Sequence, residues 1–196
     1  TIERPSDFDD LEACSQNNYH KELFDTEQVI QGIAHGLLFA DAGLDRTQIF
    51  LFGHSRGGGV SIVKTAENKL LKGLVTWASI GDMMRTKSDL NEWKKNGVTY
   101  VPNGRTNQQM PLNYQFVEDC FAQKERYDLK KSCRKIEVPS LFIHGTGDNV
   151  VPFSDAENLS GWCNTGQALI IDDADHTLGG KHPPTENELH DHTKLA

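Results

Sequence analysis

Four short apolar runs punctuate the chain. They are residues 48–53, built on Ile49-Phe50-Leu51-Phe52; Leu74, Val75, Trp77 and Ala78; Leu141-Phe142-Ile143, introduced by Val138-Pro139; and Ala168 to Ile171. Three of them are continuous rather than alternating, which is how strands of a parallel sheet covered on both faces look. Between them the spacing changes. Leu23, Val29, Ile30, Ile33, Leu37 and Leu38 recur at three- and four-residue steps, predicting a helix over 21–41 that Gly43 closes. Further helices are predicted over 57–68 and 153–162. Strands separated by helices give an α/β class with a mostly parallel sheet.

Two stretches fall outside this rhythm. Residues 1–20 are polar and irregular, with at most a short helical turn. Residues 80–137 are long and mixed, with Trp93, Tyr100, Met110, Leu112, Tyr114 and Phe116 scattered through them. A structureless loop of that length is rare in a compact domain. The segment therefore reads as a helical insertion, a cap or lid over the C-terminal edge of the sheet. The core is then 1–79 with 138–196, and the cap is 80–137.

Composition narrows the partners. The chain has 196 residues, 37% of them hydrophobic and 24% charged, enough for one globular domain. A net charge of −8 disfavours nucleic acid and anionic membrane, both polyanions. No apolar run approaches membrane-spanning length. Cys14, Cys120, Cys133 and Cys163 have wide, irregular spacing without CxxC, so neither zinc nor redox chemistry is indicated. Ordinary thiols in a reducing cytoplasm are expected. No signal peptide is visible, although Thr1 is not an initiator methionine.

The chemistry enters at residues 53–59, Gly53-His54-Ser55-Arg56-Gly57-Gly58-Gly59, directly after the first apolar run. G-x-S-x-G between a strand and a helix is a nucleophile elbow. Its serine sits on a strained turn, and side chains at positions 53 and 57 are expected to collide, hence Gly53 and Gly57. A Walker loop is excluded because no Lys-Ser/Thr pair follows, and G-x-G-x-x-G does not fit. A serine hydroxyl needs a base, and the base needs an orienting carboxylate. The third strand runs into His144-Gly145-Thr146-Gly147-Asp148, making Asp148 the candidate acid. The fourth runs into Asp172-Asp173-Ala174-Asp175-His176, making His176 the candidate base.

Rivals exist for both roles. Asp172, Asp173 and Asp175 are close enough to His176 in sequence to shape its loop instead. Among the eight histidines, His182 is the serious competitor. His20, His35, His190 and His192 fall on helices or tails, His144 packs under the acid loop, and His54 points away from the nucleophile. No HExxH spacing is present, so no metal is expected, and no cofactor is implied. One oxyanion donor should be the backbone N–H of Arg56, the residue after the nucleophile.

These residues, with Val151-Pro152 and Gly179-Gly180-Lys181-His182-Pro183, make the chain resemble the α/β-hydrolase superfamily. More narrowly it resembles the dienelactone-hydrolase-like and prolyl-oligopeptidase-like serine hydrolases. The resemblance covers about residues 20–185. It implies the chain order Ser55, Asp148, His176 and hydrolysis of a small-molecule ester. It also implies several strands before residue 48, including the source of the second oxyanion donor, and none can be read there. The chain thus looks like the C-terminal half to two-thirds of such an enzyme. Its strand at 48–53 would be an exposed sheet edge open to homo-oligomerisation. Three activities follow as expectations: a carboxylic esterase, a peptidase or thioesterase of the same fold, or a non-catalytic fragment that self-associates.

Overall fold

The computed structural model describes residues 8–103, 106, 108–180 and 189–196. The chain divides into two compact units, Thr1–Glu22 with Met84–Gln123, and Leu23–Met83 with Lys124–Ala196. The segment 80–137 therefore falls in both.

The larger unit carries a four-stranded sheet of β1 (Ile49–His54), β2 (Leu71–Trp77), β5 (Ser140–Gly145) and β6 (Gly166–Ile171), in the order β1-β2-β5-β6. Every pairing is parallel. Helices α3 (Arg56–Glu67), α6 (Leu129–Lys135) and α7 (Ser154–Trp162) pack in a row, α3 against β1 and β2, α7 against β5 and β6. The larger unit is thus a parallel sheet flanked by helices, the α/β class that the apolar runs predict.

Alternation along the strands gives each face its own job. Gly53, Thr76 and Phe142 are paired neighbours on the α3 side, and all three are buried. On the other face lie His54, Trp77, Ile143 and Leu169, in that order across the sheet. Ala174 and Leu178, from the loop after β6, close over this face and pack with Ile143 and Ile171. β1 pairs only with β2 among the described residues. Its Phe50 and Phe52 are 63% and 55% exposed.

Helix α2 (Tyr19–Ala34) stops earlier than its periodicity predicts. Gly36 enters the left-handed region at φ 71, its N–H donates to the Ile33 carbonyl, and the Leu37 N–H donates to that of Gly32. That reciprocal pair is a glycine C-terminal cap. Leu37 is consequently exposed rather than part of an apolar stripe. Leu23 and Ile30 are buried as expected. Between them, Glu27 reaches the buried Lys64 ammonium at 3.0 Å and the Asn68 amide, fastening α2 to α3.

The smaller unit holds α1 (Leu11–Ser15), α4 (Leu90–Asn96), the antiparallel pair β3 (Val98–Pro102) and β4 (Gln109–Asn113), and α5 (Gln115–Ala122). The hairpin adds strands to a segment whose sequence predicts helices. Its signal is the β-branched and aromatic run Val98-Thr99-Tyr100-Val101 between Gly97 and Pro102. Trp93 stacks on Phe116 at 6.0 Å and donates its Nε1–H to the Leu112 carbonyl. A last helix, α8 (Asp191–Leu195), ends the chain. No helix among the described residues is long and apolar enough to cross a membrane. Cys14, Cys120, Cys133 and Cys163 form no disulfide, and burial pushes the Cys133 thiol up to about 12.

The turn between β1 and α3 fixes the close approach of strand and helix. A Cβ at Gly53 would lie 2.4 Å from both the Gly57 carbonyl oxygen and Ser61 Oγ. At Gly57 the expected collision does not occur, because a Cβ there meets nothing within 4 Å. Crowding begins one residue further on, at Gly58, where a Cβ would meet Ser79 Oγ, and continues at Gly59, where it would meet Met83 Sδ. Gly53→Ala should cost about 3 kcal/mol, the upper end of overpacking penalties. Gly57→Ala should be neutral or stabilise by up to about 1 kcal/mol through helix propensity. Urea unfolding of the two variants measures this, and equal losses would overturn the assignment.

Candidate active site

All four strands point the same way, so the loops after β1, β5 and β6 emerge along one edge of the sheet. Ser55, Asp148 and His176 sit in those three loops. Ser55 has φ 54 and ψ −121, outside the regions an ordinary serine prefers. Its backbone is held on both sides: its N–H donates to the Trp77 carbonyl at 2.8 Å, and its carbonyl accepts from Gly58 N–H at 3.0 Å and Ile80 N–H at 3.3 Å. These bonds offset the strain of the turn. Arg56 is the first residue of α3, so its backbone N–H belongs to the positive end of that helix.

His176 bridges the other two residues. Its Nδ1 lies 2.7 Å from Asp148 Oδ2 and its Nε2 lies 3.0 Å from Ser55 Oγ. A carboxylate oxygen only accepts, so Nδ1 carries the proton and donates it. In the neutral ring Nε2 is then bare, and the Ser55 hydroxyl donates to it. The side chain of Asp148 is fully buried and that of His176 is 17% exposed.

A buried carboxylate must be solvated by fixed donors. Asp148 Oδ1 accepts from the backbone N–H groups of Val150, 2.8 Å, and Val151, 2.9 Å. Oδ2 accepts from His176 and from His144 Nε2, 3.1 Å away. His144 shares that Nε2–H with the Val151 carbonyl at 3.0 Å, which fixes its tautomer. Burial alone would raise the Asp148 pKa. The Val151 and Val150 N–H groups and the His176 ring outweigh it, and the carboxyl is held below its ordinary value.

The rival residues resolve differently. Asp175 Oδ1 accepts from the N–H groups of Thr177 and Gly179 and from Thr177 Oγ1, so it caps its own turn. The Asp173 N–H donates to Thr146 Oγ1. Asp172 is exposed. His35 bonds the Gln31 carbonyl on its own helix. His182 lies outside the described residues. No cluster of His, Cys, Asp and Glu able to hold a metal is found among the described residues.

Two histidines have contacts that the sequence does not announce. His144 is packed under the acid loop as expected and is also a donor to Asp148. His54, the last residue of β1, has its Nε2 2.9 Å from the His176 carbonyl oxygen. The sequence signal for His54 was its parity: it shares a sheet face with Trp77 and Ile143, over which the His176 loop folds.

Comparison with known proteins gives a family-wide match to the prolyl oligopeptidase family over residues 12–192. Among solved structures the chain is similar to Est1E from Butyrivibrio proteoclasticus, at 20% identity and TM-score 0.61, covering 84% of this chain and 64% of that one. It is similar to the esterase domain of a Rhodothermus marinus protein at 18% identity and TM-score 0.55, covering 83% and 62%. A monoacylglycerol lipase of Paleococcus ferrophilus matches at 15% identity and TM-score 0.61, covering 83% and 68%. The chain thus spans a little under two thirds of the first two structures it matches.

The Asp148 environment has a pH consequence. A carboxyl depressed in the folded state adds stability that is complete above its unfolded value, near 3.8, and is lost as pH falls through the lower folded value. Asp148→Asn should flatten the acid limb of a stability-versus-pH curve below about pH 4. Urea midpoints from pH 2.5 to 6 measure it, and an unchanged acid limb would contradict the assignment.

Proposed function

We propose a function from one established premise: the chain belongs to the prolyl oligopeptidase family. On this reading it is a serine hydrolase that cleaves a carboxylic ester through an acyl-enzyme. The observation that carries the reading is the continuous hydrogen-bond relay from Ser55 Oγ through His176 to Asp148.

The chemistry follows from the protons on those atoms. Ser55 Oγ bonds to the ester carbonyl carbon as its hydrogen passes to His176 Nε2. The carbonyl oxygen becomes an oxyanion, which the Arg56 backbone N–H at the head of α3 stabilises. The carbon–alkoxy bond then breaks and the departing oxygen takes the proton from Nε2, leaving acyl-Ser55 and free alcohol. Water repeats the sequence: its proton goes to Nε2, its oxygen bonds the acyl carbon, and Ser55 Oγ recovers the proton as the acid leaves. Asp148 stays ionised throughout, since its four donors stabilise the anion and an imidazolium at His176 adds a fifth favourable interaction.

The names of similar structures, an esterase domain, Est1E and a monoacylglycerol lipase, favour an ester over an amide. The family description favours a peptide. A p-nitrophenyl ester and the matching p-nitroanilide separate the two directly, and a thioester extends the series. Ester turnover well above anilide turnover is the expected result.

A fluorophosphonate probe should label Ser55 and no other serine. Ser55→Ala should abolish labelling and lower ester kcat by at least about 10³-fold, because the three residues act as a unit. Folded protein that leaves Ser55 unlabelled would sink the reading.

A non-catalytic, self-associating chain is the second reading, and the exposed Phe50 and Phe52 beside the one-sided edge of β1 favour it. It requires self-association without turnover. A monodisperse, active monomer on size exclusion would exclude it.

A further inference from the structure

His176 must hold two ring nitrogens in place at once, one 2.7 Å from Asp148 and one 3.0 Å from Ser55. Its own segment is exposed at Asp172, Asp173, Asp175 and Thr177. Ala174 and Leu178 anchor it to β5 and β6. Its polar ties run to the acid loop: Gly147 N–H donates to the Ala174 carbonyl, and Asp173 N–H to Thr146 Oγ1. All of these fix the base relative to Asp148. The apolar contacts extend to Val75 and Trp77 of β2, but none of these ties reaches β1, the strand of Ser55, at the opposite edge of the sheet.

We propose that His54 is a positioning residue of this site: it ties the main chain of His176 to the nucleophile's own strand. A carbonyl only accepts, so His54 Nε2–H donates to the His176 oxygen across 2.9 Å. His54 is the last residue of β1 and the neighbour of Ser55, so one rigid strand end carries both the nucleophile and the clamp on its base. The imidazole also packs edge-on against Trp77, 6.1 Å between centroids, which fixes the direction of the donor.

The clamp has to be neutral as well as polar. The two imidazole centroids are 4.8 Å apart. On the proposed mechanism His176 takes up a proton, and a second cation that close would oppose it. Loss of solvent around His54 lowers its pKa below the ordinary histidine value, and the neighbouring His176 adds to the effect, while its bond to the His176 carbonyl and the Asp148 charge pull the other way. His54 therefore works as an uncharged N–H donor.

The inference rests on the serine-hydrolase reading, and two variants of the full chain test it. His54→Phe keeps a ring against Trp77 and removes the donor. His54→Gln keeps an N–H at comparable reach. His54→Phe should lower ester kcat roughly 10- to 100-fold with KM little changed, the size of effect expected from loosening a catalytic geometry by about an ångström. His54→Gln should recover most of that loss. Amide hydrogen exchange of residues 172–180 should quicken in His54→Phe and stay near wild type in His54→Gln. Unchanged kcat and unchanged exchange in His54→Phe, or a Gln variant as impaired as Phe, would overturn the proposal. Wild-type protein that neither turns over ester nor labels at Ser55 would instead sink the hydrolase reading, and with it the kinetic role of His54. The exchange comparison would still decide whether the tether exists.

Discussion

A negative charge with no access to water is the constraint on which the site depends. The Asp148 side chain is completely buried, and burial by itself would drive it to the neutral form. It stays ionised because four donors converge on two oxygens, two from the backbone of the same turn and two from imidazoles. Each donor is thereby held as well as holding. The Val150 and Val151 amides set the turn after β5, His144 is locked as the Nε2–H tautomer, and His176 is forced to carry its proton on Nδ1. The last consequence is the chemical one, since it leaves Nε2 bare toward Ser55.

Sheet topology brings the three residues within reach of one another. Parallel strands end on the same side, so turns after β1, β5 and β6 share an edge although they are far apart in sequence. The spacing across that edge is then set by side-chain length. Ser55 is lifted by a strained turn, Asp148 is sunk in its loop, and His176 spans the gap from above with a loop clamped by Leu178 and Ala174. The close approach of β1 and α3 at Gly53 belongs to the same geometry, because it brings the positive end of α3 to Ser55.

How far this could be read from sequence depended on whether a feature is local. The four strands of the parallel sheet were legible as apolar runs, the hairpin strands β3 and β4 were not, and the candidates Ser55, Asp148 and His176 stood out because each sits just past such a run. Features set by contact were not. Leu37 and Leu38 continue the helical spacing of α2, yet the backbone reverses at Gly36, which spacing does not register. Gly57 and Gly58 look alike in the motif, and only packing against Ser79 shows which one must lack a side chain. His144 lies under the acid loop, as its position before that loop suggested. Its bond to Asp148, and that of His54 to the His176 carbonyl, appear only once the loops are folded together.

The buried aromatic side chains of 80–137 serve packing. Read along the chain, they belong to a segment that looks like a cap or lid. In the folded unit Trp93 is 3% exposed and Phe116 is 7% exposed, stacked on each other. Tyr19 packs on Phe116 at 5.0 Å, and the Trp93 indole N–H is consumed by the Leu112 carbonyl. These side chains form the unit's own core, and a small unit with a two-stranded sheet needs that core to stay folded. A residue buried for that purpose cannot also be offered to a ligand. On the proposed reading, Trp93 and Phe116 are therefore spent on folding their own unit rather than on selecting a substrate.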